Sequence, residues 1–335
     1  MKLATLKDGS RDGALVVVSR DLTTAHYATG IAATLQQAID DWNFISPQLQ
    51  DLFDTLNNGK ARHAFPFDPK QCMAPLPRAY QWADGSAYIN HVELVRLARN
   101  SEVPANYYTE PLMYQGGSDD FLGPCQDSAV PSEDFGIDFE AEIAVVTGDV
   151  KMGSSPTEAL EGVRLLMMAN DWSLRNLIPD ELAKGFGFFQ SKPATAFSPV
   201  AVTPDEVGEA WSGGKLHLTI QSQWNGRTVG MCDAGSEMTF HFGQLIAHIC
   251  KTRNVRAGSI VGSGTVSTRA IEKDGQKEWV KGYSCIAEKR AIETIQDGKP
   301  STAYMKFGDT IKIEVKGKDG QSVFGAIDQK VVQYE

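Results

Sequence analysis

The apolar positions of this chain follow two periods in turn. At the start, MKLATLKDGSRDGALVVVSR sets two apolar runs on either side of DGSRDG, which predicts a β-hairpin over residues 1–20. Over about 30–59 the spacing becomes helical, with Ile31, Leu35, Ala38, Ile39 and Trp42 on one stripe and NNGKAR as the stop. Pro66, Pro69, Pro75 and Pro77 then mark 60–80 as a connector between a small N-terminal unit and the main body. From about 80 onward the pattern is one of short strands separated by Gly, Pro and Asn turns. LHLTIQSQWNGRTV (216–229) reads as two strands around an Asn225-Gly226 turn. Residues 237–251 read as helix, and 259–267 and 310–315 as strands. The stretch 96–135 is polar and rich in Gly, Pro and Asp, as expected of a long loop or lid. No internal repeat is visible. The pattern predicts a β-rich α+β fold, with a small α+β N-terminal cap over 1–75 and the main domain over 76–335.

One strand breaks the rule of its neighbours. DFEAEIAVV (138–146) is an apolar strand with three acids. Side chains alternate along a strand, so Asp138, Glu140 and Glu142 are expected on one face and Phe139, Ala141 and Ile143 on the other. Carboxylates about 7 Å apart along one face repel unless solvent, a cation or a proton intervenes. A solvent-facing edge and a metal site both answer to this pattern.

Composition narrows the partners. The 335 residues are 42% hydrophobic and 22% charged, with a net charge of −10, enough chain for one large or two smaller domains. No basic stripe is present to neutralise phosphates, so nucleic acid and anionic membrane surfaces are not expected partners. No apolar run reaches 18 residues, and the N-terminus lacks a signal-peptide core. Cys72, Cys125, Cys232, Cys250 and Cys285 are odd in number, scattered and without C-x-x-C. They fit reduced thiols in a cytoplasm rather than a disulfide framework or a thiolate zinc site.

Several motifs carry little. GSGTVST (262–268) lacks the ending of a phosphate loop, and no serine sits in G-x-S-x-G. His217, His241 and His248 lie in strand or helix patterns, where structural histidines are common. His91 differs, because it follows a turn-like stretch with Asp84 seven residues before it. In LLMMANDWSLRN (165–176) a buried run ends abruptly at Asn170-Asp171-Trp172. Asp171 and Arg175, four apart, could equally be a helix cap and its ion pair. Lys192 stands in a turn-like QSKP between apolar runs.

Together, DFEAEIAVV, ANDWSLRN, the lysine of FQSKPATAFSPV, GSGTVS, the acid of CIAEK and FGDTIKIEV resemble the fumarylacetoacetate hydrolase family over about 80–335. The resemblance implies a distorted β-roll or barrel around a central metal, Mg²⁺ or Ca²⁺ with Mn²⁺ as a further candidate. It implies Asp84, Glu140, Glu142 and Asp171 as ligands and leaves Asp138 outside the first shell. An all-oxygen set agrees with hard cations. The family's substrates carry a 1,3-diketone or 2-oxo acid whose two oxygens chelate the metal.

The resemblance further implies His91 as the water-activating base, Glu288 as the carboxylate that orients it, and Lys192 and Arg175 as cations on substrate oxygens. Tyr114 and Thr265 match substrate-side positions. One departure is Ile178, where the larger hydrolases carry a glutamine; Gln190 is the candidate replacement. The 96–135 segment is also shorter than in those members. The expected activity is hydrolysis of a C–C bond in fumarylacetoacetate or an acylpyruvate, in aromatic amino-acid or aromatic-compound catabolism. The alternatives are a 2-oxo acid hydratase, decarboxylase or isomerase on the same fold, and a non-catalytic acidic binding protein. A cytoplasmic homodimer is expected.

Overall fold

The computed structural model describes residues 1–98 and 100–335. The first two apolar runs pair as an antiparallel hairpin, Lys2–Leu6 on Ala14–Val18, with Leu3 opposite Val17. Its outer edge is extended by Thr24–Tyr27 and Phe65–Pro66. Its inner edge joins the body through Lys2 opposite Val202. The expected 1–75 unit therefore shares one sheet with the rest of the chain. Beyond Ala201–Val202 that sheet continues through Val163–Asn170, Ala141–Thr147, Ser259–Gly262, Gln81–Gly85 and Met113–Gly116, and with Ala196–Phe197 paired beside Val163–Asn170 it has eleven strands among the described residues.

The central strands are buried on both sides, which explains their unbroken apolar runs. On one face, Leu3, Leu15, Val17, Ala144, Val146, Leu165 and Met167 pack with the helices Leu35–Asp40 and Trp42–Asn57. Thr34 caps the first of these helices by accepting from the Gln37 N–H at 3.3 Å. On the other face, Val16, Val18, Ile143, Val145, Leu166 and Met168 meet a second sheet of Arg227–Asp233, Thr219–Trp224, Thr310–Val315, Ile327–Gln333 and Ser128–Val130. The result is the β-rich mixed fold that the pattern predicts.

Some boundaries differ. The helix expected over 237–251 forms only at Phe242–Ile249. The strand expected over 259–267 stops at Gly262, and the chain turns at Gly264, whose φ is +75°. The 96–135 segment supplies two short strands, Met113–Gly116 and Ser128–Val130, which local sequence does not mark because their partners lie far along the chain. The largest correction concerns 138–146. Ile137–Asp138 and Ala141–Thr147 are separate strands in separate ladders, interrupted at 139–140. Asp138 therefore does not continue the face that Glu142 occupies.

Phe197 anchors the end of the sheet that carries the acids. It is fully buried and meets Trp82 edge-on at 5.5 Å and Phe121 at 4.9 Å between ring centres. Phe197→Ala is expected to cost about 3–5 kcal/mol of unfolding free energy. Chemical denaturation measures it, and a loss within error of zero would show that this aromatic group does not hold the sheet.

Candidate active site

The site forms where four neighbouring strands of the large sheet end together. Asp84 lies on Gln81–Gly85, Glu142 on Ala141–Thr147, and Asp171 directly after Val163–Asn170. Trp82, Ala144 and Ala169, each two residues from one of these acids, pack in the same core layer, so period-two alternation sends the three carboxylates to that layer's side. The strand between Asp84 and Glu142 presents Gly262, opposite Asp84 on one side and Ala144 on the other. A β-carbon at Gly262 would lie 2.3 Å from Asp84 Oδ1, so glycine keeps open the space between the acids.

Asp84, Glu142 and Asp171 offer oxygens within 4.8 Å of one another, and all three are buried. Among the described residues neither Glu142 oxygen accepts a hydrogen bond. Burial, and then the charges of Asp84 and Asp171, push the Glu142 carboxyl well above its usual range. Burial, and then the Asp171 charge, do the same to Asp84. Orphaned buried carboxylate oxygens around an open space are the complement of a hard divalent cation, and this donor set fits one. These acids are not a solvated strand edge.

Glu140, also expected among the ligands, is placed outside this trio. Arg175 Nη2 donates to its Oε1 at 2.5 Å and Lys192 Nζ to its Oε2 at 2.7 Å. Burial acts to raise Glu140, but these two cations outweigh it and hold the carboxyl at about 2. Lys192 also donates to Asp171 Oδ2 at 2.7 Å, so its ammonium joins two carboxylates. Burial opposes the lysine's charge, and Asp171 and Glu140 reverse that, raising it above its ordinary value. Asp171 accepts two further hydrogen bonds, from Tyr114 OH at 2.6 Å and Thr195 OH at 2.7 Å. It neither caps a helix nor pairs with Arg175. The loop before Lys192 is pinned by Glu181, which accepts the N–H groups of Phe189, Gln190 and Ser191.

Arg175 donates through Nε to Asp138 at 2.8 Å. Asp138 in turn accepts the Ile286 and Ala287 N–H groups at 2.7 and 2.9 Å, at the start of the helix Ile286–Asp297. That helix carries Glu288, whose Oε2 meets His91 Nδ1 at 2.9 Å, with His91 on the helix Ile89–Leu97. Ser267 OH donates to the other Glu288 oxygen at 3.1 Å, and Asn90 holds Ser267 at 2.7 Å. Thr265 is buried on the turn after Gly262. Gln190, the candidate replacement for a glutamine at Ile178, is exposed, with its N–H held by Glu181, and Ile178 is buried at a helix start. Sequence reasoning missed Thr195, Ser267, Gly262 and the bridging place of Asp138. Each matters through a contact across many residues, for which no local pattern exists.

Two family models match. "Fumarylacetoacetate (FAA) hydrolase C-terminal" covers residues 81–332 and "Fumarylacetoacetase N-terminal domain 2" covers 1–78. A 2,4-didehydro-3-deoxy-L-rhamnonate hydrolase of Sphingomonas sp. (strain SKA58) is 29% identical over 47% of this chain and 53% of its own length. The mitochondrial oxaloacetate tautomerase Fahd2a of Rattus norvegicus is 26% identical over 54% of this chain and 53% of its own. The chain thus spans about half the length of these two relatives. The fold also matches the fumarylacetoacetate hydrolase EaFAH of Exiguobacterium antarcticum, with a TM-score of 0.67, 16% identity and full coverage of both chains.

The raised carboxyls give a signed pH dependence. Unfolded carboxylates release protons near pH 4, whereas folded Asp84 and Glu142 retain them to higher pH. Metal-free protein therefore loses stability as pH rises from about 4 toward the raised values. Glu142→Gln removes one such group, so its melting temperature in chelator at neutral pH should hold or rise. Added Mn²⁺ should raise the melting temperature of the wild type and not that of the variant. Equal stabilisation of both would sink the assignment of Glu142 to a cation.

Proposed function

The chain belongs to the fumarylacetoacetate hydrolase family, and from that premise we propose a fumarylacetoacetase-like hydrolase that cleaves a C–C bond in a 1,3-diketone acid. Fumarylacetoacetate or an acylpyruvate is the substrate class, and the setting is aromatic catabolism in the cytoplasm, with a homodimer as the working form. The observation that carries this reading is the pair of part-buried His91 and fully buried Glu288. Isomerisation or decarboxylation of a 2-oxo acid needs no base for an attacking water, and hydrolysis does.

Asp84, Glu142 and Asp171 would hold the divalent cation, with Glu140, which shares Lys192 with Asp171, as the adjoining candidate ligand. Bound there, Mg²⁺, Ca²⁺ or Mn²⁺ supplies a Lewis acid for a chelated carbonyl. With Nδ1–H donating to Glu288 Oε2, His91 Nε2 is left as an acceptor able to take a proton from water. Glu288 fixes that tautomer and balances the imidazolium. The hydroxyl oxygen adds to a carbonyl carbon, the C–C bond breaks, and its electron pair leaves on an enolate that is then protonated. Lys192, beside Tyr114 with the ring centre 5.5 Å from its nitrogen, would supply positive charge to a developing oxyanion. Arg175, expected on a substrate oxygen, has Nε and Nη2 on Asp138 and Glu140, so Nη1 would make that contact; Thr265 lines the turn beside the acids.

The oxaloacetate tautomerase relative supports a second reading, keto–enol exchange of a 2-oxo acid. Purified protein with Mg²⁺ is assayed with fumarylacetoacetate, fumarylpyruvate and oxaloacetate, following loss of the diketone absorbance. The hydrolase reading expects turnover of one of the first two; tautomerisation of oxaloacetate alone would replace it.

His91→Ala should lower kcat by about 10²–10⁴ while the Mn²⁺-induced rise in melting temperature stays at its wild-type size. Full activity in that variant removes the water-activating role. For Lys192→Met, kcat should fall by roughly 10²–10³. Its metal-free form should also be destabilised by about 3–5 kcal/mol, because Glu140 and Asp171 lose a buried partner. A near-wild-type rate would place Lys192 outside the reaction.

A further inference from the structure

A second set of ligating side chains gathers beside the carboxylate trio. A ring nitrogen of His91, the sulfur of Cys285 and a carboxylate oxygen of Glu288 lie within 4.8 Å of one another. We propose that these three form an inhibitory site for a thiophilic divalent cation such as Zn²⁺ or Cd²⁺, whose binding withdraws His91 from its work as a base. The binding itself stands on the cluster alone; the inhibition rests on the proposed role of His91.

The donor types separate the two sites. Asp84, Glu142 and Asp171 offer only oxygen, which suits Mg²⁺, Ca²⁺ and Mn²⁺. Imidazole, thiolate and carboxylate together suit zinc-like ions, and three protein ligands leave a fourth tetrahedral position for water. The placement is ordered. Cys285 precedes the first turn of Ile286–Asp297 as its cap, and Glu288 follows three residues later on the same side, with its N–H 3.4 Å from the Cys285 sulfur. His91 arrives from a different helix, Ile89–Leu97, and already meets Glu288 Oε2 at 2.9 Å. With bonds of about 2.0–2.1 Å to nitrogen and oxygen, a tetrahedral ion needs those two atoms roughly 3.3 Å apart. A shift of a few tenths of an ångström provides it. Ser267 holds the other Glu288 oxygen, so Oε2 is the one free to turn.

Charge and protons balance. Neutral imidazole, one thiolate and one carboxylate cancel a divalent charge, which suits a buried position. Burial, and then the Asp138 charge, push the Cys285 thiol well above its ordinary range, so a bound ion must expel its proton, and soft metal–sulfur bonding rather than charge alone favours that. A thiophilic ion breaks the S–H bond and forms bonds to sulfur, nitrogen and oxygen. One proton goes to solvent. The imidazole keeps its proton but moves it from Nδ1 to Nε2, the atom that must be free to accept one from water. The His91 side chain is 15% exposed and gives the ion its route inward. Among the described residues no other cysteine belongs to such a group.

The test titrates Cd²⁺ into Mg²⁺-loaded protein and follows the ultraviolet thiolate-to-cadmium charge-transfer band, released protons, and activity on whichever substrate is turned over. Wild type should show one band-forming ion per chain with matching loss of activity. Cys285→Ser keeps a hydrogen-bonding cap for the helix, so it should fold and retain its Mg²⁺-supported rate. It should lose the band and weaken Cd²⁺ inhibition by about tenfold or more, the loss that even an outer partner's removal causes. Cys250→Ser, which alters a buried cysteine beside Ser154 and Ala247, should behave as wild type. A wild-type protein without the band, or a Cys285→Ser protein that keeps it, overturns the site. A band without inhibition upholds the site and overturns the role given to His91.

Discussion

The structure depends on how a cluster of buried carboxylates is neutralised. Asp84, Asp138, Glu140, Glu142, Asp171 and Glu288 are all buried near one end of the large sheet. Two part-buried cations, Arg175 and Lys192, answer Asp138, Glu140 and Asp171. Two backbone N–H groups at a helix start add to the compensation of Asp138. No donor among the described residues reaches either oxygen of Glu142. Unpaired charge of this kind is strongly unfavourable in a protein interior, so it must be met by a proton or a cation. Beside it, Gly262 keeps the space next to Asp84 open.

The same network joins elements that share no ladder. Through Arg175 and the first turn of Ile286–Asp297, Asp138 ties the strand-end acids to the helix that orients His91. Lys192 ties Glu140 to Asp171 and is reached only because Glu181 fixes the loop before it. The carboxylate trio, the bridging lysine and the histidine pair thus belong to one network. A change to any one alters the electrostatic environment of the others, so substitutions here are expected to be non-additive.

The relatives that this chain matches include a hydrolase and a tautomerase, so the surroundings of the carboxylate trio bear on the reaction. Here the surroundings are a lysine that already bridges two carboxylates and a histidine held by a buried glutamate. The thiol beside that pair adds a soft donor next to a hard-cation centre. Selectivity between the two then follows from donor chemistry rather than from cavity size.

The sequence alone determined the elements with strong local signals. The first hairpin, the strand at Thr310–Val315 and the Asn225-Gly226 turn follow from period and turn chemistry over a few residues. The acids of 138–146, the Asn170-Asp171 strand end, His91 and Lys192 were legible as motifs in a fixed order. What only the tertiary structure decided was which of them meet. Asp138 turned toward a helix more than a hundred residues away because the strand breaks at 139–140. Glu140 was claimed by Arg175 and Lys192, and Asp84 took a place beside Glu142 across a glycine. Gln190 stayed at the surface, and Cys285 came to His91. Local sequence fixes the side of a strand on which a residue stands. The partner of a buried charge is set by strand order and long-range packing, which no short stretch of chain contains.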